Sequence, residues 1–337
     1  MMTTEVESAA APSSGRLAAR DRRRRKSPQA AAVARLAGML VSPTLLVLGL
    51  VVVYPIVAAL RQSLFTEGQG VDAEGFVVEG EQFAGLGNYA EVFTGPAAAR
   101  FWNAMWNTTF FTTTTVVLEA ALGVAMALIM HRAFRGRGLV RASVLVPWAI
   151  PTAVSALLWR WIFASDGVVN AMLGTQVLWS ADGGPAKLAV IVAEVWKTAP
   201  FVGLLVLAGL QVIPRDVFEA ARVDGATAWQ RFAHITLPLV RPALLVAVLF
   251  RMLDSLRMFD LPFVLIGQQK ESVETLSMLA WQEATNVRYG PAAAYATIMF
   301  CYVAVVAFAF VKLLGADLLG EARSQVKSAR RTRKAVA

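Results

Sequence analysis

Six apolar stretches of about twenty residues each constrain this chain more than any other feature. They fall at approximately 37–60, 107–130, 140–163, 187–212, 242–266 and 291–314. A helix of about 20 apolar residues crosses the hydrocarbon core of a bilayer, so each stretch is predicted to be a span. The fourth is interrupted by Lys197 and Pro200, and the fifth by several charges. Only 16% of residues are charged, against about 25% in soluble domains, too few to give six such helices water-facing sides. A membrane barrel would show short alternating segments instead. Lipid tolerates only backbones that satisfy their own hydrogen bonds. The fold class is therefore all-α membrane protein with six transmembrane helices.

Charge sets the orientation. Of 32 Lys and Arg, 23 fall in the tails and loops on one side of the spans and 5 on the other. Basic residues accumulate on the cytoplasmic side, so both termini are predicted to be cytoplasmic. Residues 1–36 read as a disordered basic tail, 37–314 as the transmembrane domain and 315–337 as a second basic tail. The Arg20–Lys26 run resembles the charged start of a signal peptide. The apolar run after it is too long, and no small-residue cleavage site follows promptly, so a retained first span is expected. The net charge of +9 is a topology signal and a contact for anionic lipid rather than a nucleic-acid footprint. Cys301 is the single cysteine, and His131 and His234 are far apart, so neither a disulfide within the chain nor a metal site is expected.

Three segments carry more than hydropathy. The external loop 61–106 is acidic and ends in Phe83-Ala84-Gly85-Leu86-Gly87-Asn88-Tyr89, ahead of a short helix reaching Phe93. Pro147 and Pro151 are predicted to kink or break the third span. Trp159 and Trp161 then suit the outer interface. The cytoplasmic loop 213–241 reads as a compact helix–turn–helix. Pro214 suits a first helical turn, and Asp216 and Glu219 favour its positive end. Val217, Ala220, Ala221 and Asp224 share one face, on which two alanines allow close approach. Gly225 suits the left-handed position that ends a helix. Thr227 is an N-cap for a second short helix, which Pro238 is expected to end before span five.

The spacing inside that loop is specific. Glu219-Ala220-Ala221, Gly225, Ile235 and Leu237-Pro238 resemble the EAA loop by which permeases of ATP-binding-cassette (ABC) importers dock onto their ATPase. The resemblance extends from Met39 to Leu314. Phe83–Tyr89, Phe259–Leu265 and Glu274-Thr275-Leu276-Ser277 are similar to carbohydrate permeases of the maltose and glycerol-phosphate type. It implies a type I importer architecture and an ATPase contact made by Glu219, Ala220, Ala221, Asp224, Gly225, Ile235, Leu237 and Pro238. It further implies a second permease subunit, two ATPase subunits, an extracytoplasmic solute-binding protein and a carbohydrate substrate such as trehalose. The long basic N-terminal tail departs from the family pattern. The sequence holds no G-x-x-x-x-G-K-[ST] phosphate loop. No cofactor is expected on this chain, ATP and magnesium belonging to the partner ATPase, and no enzymatic activity is expected of it.

Charges within spans are costly and face a cavity or a partner. Arg251, Asp254, Arg257 and Asp260 stand three apart in the fifth stretch, with Asp254 near its midpoint. Two readings stay open: they pair among themselves, or Asp254, Ser255, Arg257, Phe259 and Asp260 line the solute path, with a step at Pro262. Glu194 and Lys197 read as a pair within the fourth span. Glu119 in the second lacks a partner there, so it meets a charge on another helix or carries a proton. That keeps a proton-coupled secondary transporter open as an alternative, beside a permease for glycerol phosphate or another polyol and a non-transporting scaffold.

Overall fold

The computed structural model describes residues 28–71, 77–132 and 135–314. The chain divides after Ala58 into two units. Helix α1 (Pro28–Leu48) passes through a π turn (Gly49–Val53) into α2 (Tyr54–Gln62), within which the division falls. The tail expected over 1–36 is thus helical from Pro28, where an Ala-rich stretch favours helix and proline suits the first position. Residues 1–27 and 315–337 lie outside the described residues. The π turn has a local cause. Pro55 has no N–H, and its ring crowds the carbonyl four residues back. The Tyr54 N–H instead reaches five residues back, to the Gly49 carbonyl, and the wider turn absorbs the proline.

In the second unit, loop 61–106 is more ordered than its sequence suggests. Strands β1 (Phe65–Val71) and β2 (Val77–Phe83) form an antiparallel hairpin in which Phe65 faces Phe83. Their rings meet edge to face at 5.5 Å, and the Arg61 guanidinium stands 4.6 Å from the Phe65 ring. The expected short helix is α3 (Gly87–Thr94). Its buried Asn88 donates to the Ser63 and Phe65 carbonyls at 2.9 and 2.8 Å, which ties the hairpin base to the helix.

Helix α4 (Ala98–His131) is the second span, nine residues longer at its start than the apolar count suggests. The extra turns are polar because they grip an outer loop. Asn103 and Asn107 both donate to the Glu271 carbonyl at 2.7 Å, and Arg100 Nε donates to Glu274 at 2.7 Å. The third span is broken into α5 (Arg137–Ala149) and α6 (Thr152–Ile162), bent by 95°. Ile150 is extended at φ −75°, ψ 134°, as a residue before proline prefers. Trp159 stacks on Phe163 at 5.2 Å, whereas Trp161 is exposed. After α7 (Val168–Leu173), α8 (Gly184–Val212) runs unbroken through Pro200 as the fourth span. Its apolar window is 67% buried, more than that of any other span, so α8 is the central helix of this unit.

Small residues let neighbours approach α8. A Cβ on Gly123 of α4 would sit 2.6 Å from the Val202 side chain, and one on Gly209 would sit 2.6 Å from Ala243. Helix packing in lipid favours such contacts, since apolar side chains gain little there by leaving a solvent that is itself apolar.

Beyond α8 come α9 (Arg215–Val223) and α10 (Ala228–Arg231), a second π turn (Phe232–Thr236) and α11 (Leu237–Ser255). The span-length helix is Ala228–Ser255, so the fifth span lies towards the N-terminus of the expected 242–266. Pro238 does not end a helix. The π turn ahead of it, closed by Leu237 N–H on the Phe232 carbonyl, carries the helix past the missing donor, as the first π turn does at Pro55. At the other end, Arg257 and Met258 make tight backbone bonds to Asp254 and Ser255. The Thr275 hydroxyl donates to the Met258 carbonyl at 2.9 Å. A short helix α12 (Asp260–Leu265) then begins, with Pro262 tolerated in its first turn. Helices α13 (Leu276–Thr285) and α14 (Tyr289–Leu314) complete the fold. A Cβ on Gly290 would overlap the Phe65 carbonyl, so only glycine lets the hairpin lie against the start of α14. Among the described residues, five helices are long and apolar enough to cross a membrane, or six when the bent pair is counted as one span.

Candidate coupling loop and translocation cleft

Local sequence explains the α9–α10 pair almost completely. Pro214 caps α9, one position earlier than a first-turn residue, and Asp216 lies in the first turn. Gly225 has φ +76°. Its N–H donates to the Arg222 carbonyl at 3.1 Å, and the Ala226 N–H donates to the Ala221 carbonyl at 3.0 Å. These are the two bonds of a Schellman ending, which a left-handed glycine permits. Thr227 then starts α10 with a capping box: its hydroxyl accepts from Gln230 N–H at 3.3 Å, and Gln230 Oε1 accepts from Thr227 N–H at 2.8 Å.

The expected coupling residues divide by exposure. Glu219, Ala220, Asp224, Gly225, Leu237 and Pro238 are exposed, and Ile235 is half-buried. Ala221 is 7% exposed. It is thus withdrawn from the exposed face shared by Val217, Ala220 and Asp224. Glu219 turns towards a basic cleft formed with Arg137, Arg141, Arg215 and Arg222.

The second group centres on Arg251, which is buried. Its Nε donates to Glu119 Oε2 at 2.7 Å and its Nη2 to Glu119 Oε1 at 3.2 Å. Nη2 also donates to Glu194 Oε1 at 2.8 Å, and Nη1 to Asp254 Oδ2 at 2.5 Å. The Thr198 hydroxyl adds a 2.7 Å bond to Glu119 Oε1. One planar fork thus joins α4, α8 and α11, a geometry that suits arginine and not lysine. Glu119 therefore meets a charge on another helix, as one of its two readings has it. The Glu194–Lys197 pair is corrected: Glu194 turns to Arg251, whose fork offers two buried carboxylates what a single ammonium would not.

The ladder expected at steps of three stops early. Asp254 reaches Arg251 at 2.5 Å and Arg257 at 3.9 Å, but α11 ends at Ser255, so Asp260 opens the next helix. Asp254 accordingly stands at a helix end with a 63% exposed side chain, not at mid-span. Asp254, Arg257, Phe259 and Asp260 line one cleft with Glu194, Lys197 and Thr198. Ser255 does not join them. It is buried and shares a 3.2 Å hydrogen bond with Thr115 of α4. Phe259 packs on Phe263 at 4.8 Å and on Trp281 at 5.6 Å, which puts an aromatic wall beside the polar groups. The cleft holds about 100 Å³, below the roughly 300 Å³ at which small-molecule sites begin. This cleft, in this conformation, does not enclose a disaccharide by itself. Trp281, Lys197 and Thr198 are the neighbours that sequence reading missed. No spacing links the first to Phe259, and the α8 residues became legible only through the Arg251 cluster.

A family profile described as "Binding-protein-dependent transport system inner membrane component" matches residues 119–319. The chain belongs to this family. It is 38% identical over 288 residues to "Trehalose transport system permease protein SugA" of Mycobacterium tuberculosis, covering 85% of this chain and 91% of the relative. It is 38% identical over 286 residues to "Trehalose/maltose transport system permease protein MalF" of Thermococcus litoralis, covering 83% and 93%. "Sulfoquinovosyl glycerol transport system permease protein SmoG" of Agrobacterium fabrum is 34% identical over 288 residues, covering 83% and 90%. Among solved structures, a bacterial alginate ABC transporter in complex with an alginate pentasaccharide-bound periplasmic protein has a chain matching at TM-score 0.71. That match is 20% identical and covers 84% of this permease and 94% of that chain. It shows a shared fold. This inner-membrane component is thus a multi-pass permease, and both the α9–α10 pair and the Arg251 cluster lie within the matched region.

Proposed function

We propose that this permease passes a carbohydrate, with trehalose the leading solute, through an ATP-driven importer fed by an extracytoplasmic binding protein. The observation that carries this reading is the 38% identity, over most of both chains, to permeases named for trehalose and for trehalose/maltose transport. The α9–α10 pair supports a docking role. Its backbone is fixed by its own caps, and Glu219, Ala220, Asp224 and Gly225 remain exposed to an ATPase. In this reading the chain hydrolyses nothing, and ATP and magnesium stay on two ATPase copies beside a second permease. Asp254, Arg257, Phe259 and Asp260 contribute one wall of the solute path, and the second permease supplies the rest. Such a wall offers charged acceptors and donors for hydroxyls and an aromatic face for a sugar ring. A proton-coupled carrier is less well supported, because Glu119 is already held by Arg251 and Thr198.

Uptake of labelled trehalose, with maltose and glycerol 3-phosphate as comparators, tests the proposal in cells lacking the gene and in cells with it restored. Loss and rescue of trehalose uptake alone, abolished by ATP depletion, is the expected result. Loss of another solute instead would discard trehalose and keep the importer. Uptake that survives ATP depletion but collapses with an uncoupler would overturn the importer itself.

A further inference from the structure

We propose that the basic cleft beside α9 is a binding site for the phosphate headgroup of an anionic phospholipid. The cleft has a volume of about 560 Å³, within the range of small-molecule sites. Its walls come from four elements: His131 ends α4, Arg137 and Arg141 open α5, Gln211 lies in the last turn of α8, and Arg215 and Arg222 lie on α9. Four guanidinium groups and one imidazole therefore surround a single carboxylate, Glu219. Among the described residues, Arg137, Arg215 and Arg222 take part in no ion pair. Arg141 uses two donors on the Met130 carbonyl, at 2.7 and 3.2 Å, and so covers the negative end of α4. An excess of unpaired arginine in a concave site calls for an anion with several acceptor oxygens.

Position favours a lipid as the source of that anion. The apolar helices α4 and α8 end at the cleft and α5 begins there, and the ends of spanning helices stand at headgroup level. Basic pockets between helices on the cytoplasmic side suit anionic headgroups. Ile213 and Phe218 add apolar wall, useful to a glycerol backbone and of no use to free phosphate. One wall of the site is α9 itself, through Arg215, Phe218, Glu219 and Arg222, and Val217, Ala220 and Asp224 on the same helix lie outside that lining, so a bound headgroup would brace α9 while leaving those residues to the ATPase.

The test uses the full chain in nanodiscs of phosphatidylcholine with a minor fraction of phosphatidylglycerol, and native mass spectrometry to read the retained lipid. The triple variant Arg137→Gln/Arg215→Gln/Arg222→Gln leaves Arg141 on its carbonyl. Each exposed arginine near a headgroup is worth about fivefold in binding, so the preference for phosphatidylglycerol should fall by about a hundredfold. The single variant Arg222→Gln should lose about fivefold and guards against misfolding of the triple. Any of the following results would overturn the proposal. One is a wild-type chain with no preference, or a triple variant that keeps it. Another is displacement of the lipid by inorganic phosphate at constant ionic strength, which would make the ligand a soluble anion. The last is displacement of the lipid by the purified ATPase, which would make the cleft a protein contact.

Discussion

The Arg251 cluster and the α9–α10 pair are both built from charged and polar residues, yet they are held in opposite ways. Arg251 is fixed by side chains 57 and 132 residues away. The α9–α10 pair is fixed by backbone bonds and caps no more than five residues long. The first uses its polar atoms inward and joins three spans. The second satisfies its own backbone and leaves side chains free to meet something else. A segment whose shape owes little to the rest of the fold can be gripped and moved without unfolding it. A buried fork shared by three helices transmits such a movement as a unit, or resists it.

The largest effect should come from Arg251→Leu. It strands Glu119 and Glu194 without a cation, and breaking a buried pair from one side costs about 3–5 kcal/mol. Thermal unfolding of the purified protein in detergent should show a large fall in midpoint. Arg251→Lys should recover only part of it, because an ammonium lacks the bidentate fork. Adding Glu119→Gln to Arg251→Leu should restore stability relative to the single variant, since one stranded charge is removed. A fully additive double variant would mean the cluster is not a unit.

The same contrast decides what was legible. Gly225, Thr227 and the break between Pro147 and Pro151 could be read from sequence because each acts on its own few residues. The spans were legible from length and hydropathy, but not their ends. Arg100 and Asn103 look like loop residues, and only the outer loop they bind shows why α4 starts at Ala98. Pro238 looks like a helix stop because a π turn leaves no mark in the sequence. The hairpin was hidden because β1, Phe-Thr-Glu-Gly-Gln-Gly-Val, has two glycines and no alternation. Glu194 had Lys197 three residues away, and nothing local favours a partner on another span.

Gly225→Val should come next in size. A β-branched residue in the left-handed region costs about 1–2 kcal/mol, and the Schellman bonds go with it. Amide hydrogen exchange should rise across 215–231 while the unfolding midpoint of the spans stays near wild type. Gly225→Asn, which tolerates that conformation, should exchange more slowly than Gly225→Val. Thr227→Ala removes one cap, worth about 1 kcal/mol, so faster exchange should be confined to α10. A fall in global midpoint from either would erase the contrast with Arg251.

The smallest effect separates distance in sequence from burial. Asp182 is exposed, yet its partner Ser272 lies 90 residues away, with the Ser272 N–H donating to Oδ1 at 2.9 Å. The Ser272 side chain and then its backbone N–H, helped by the Gly183 N–H, hold the Asp182 carboxyl below its usual range against the opposing effect of burial. A depressed folded value means the tether's stabilisation is complete above the unfolded value of about 4. It is lost as pH falls through the lower folded value. In wild type the outer-loop amides around Ser272 should keep their exchange protection from pH 7 to about 5 and lose it only below the ordinary carboxylate range. Asp182→Asn should show the loosened loop at all of these pH values, with the global midpoint unchanged, because exposed charged contacts contribute little. A midpoint shift as large as that of Arg251→Leu would mean that long-range contact, and not burial, gives the cluster its weight.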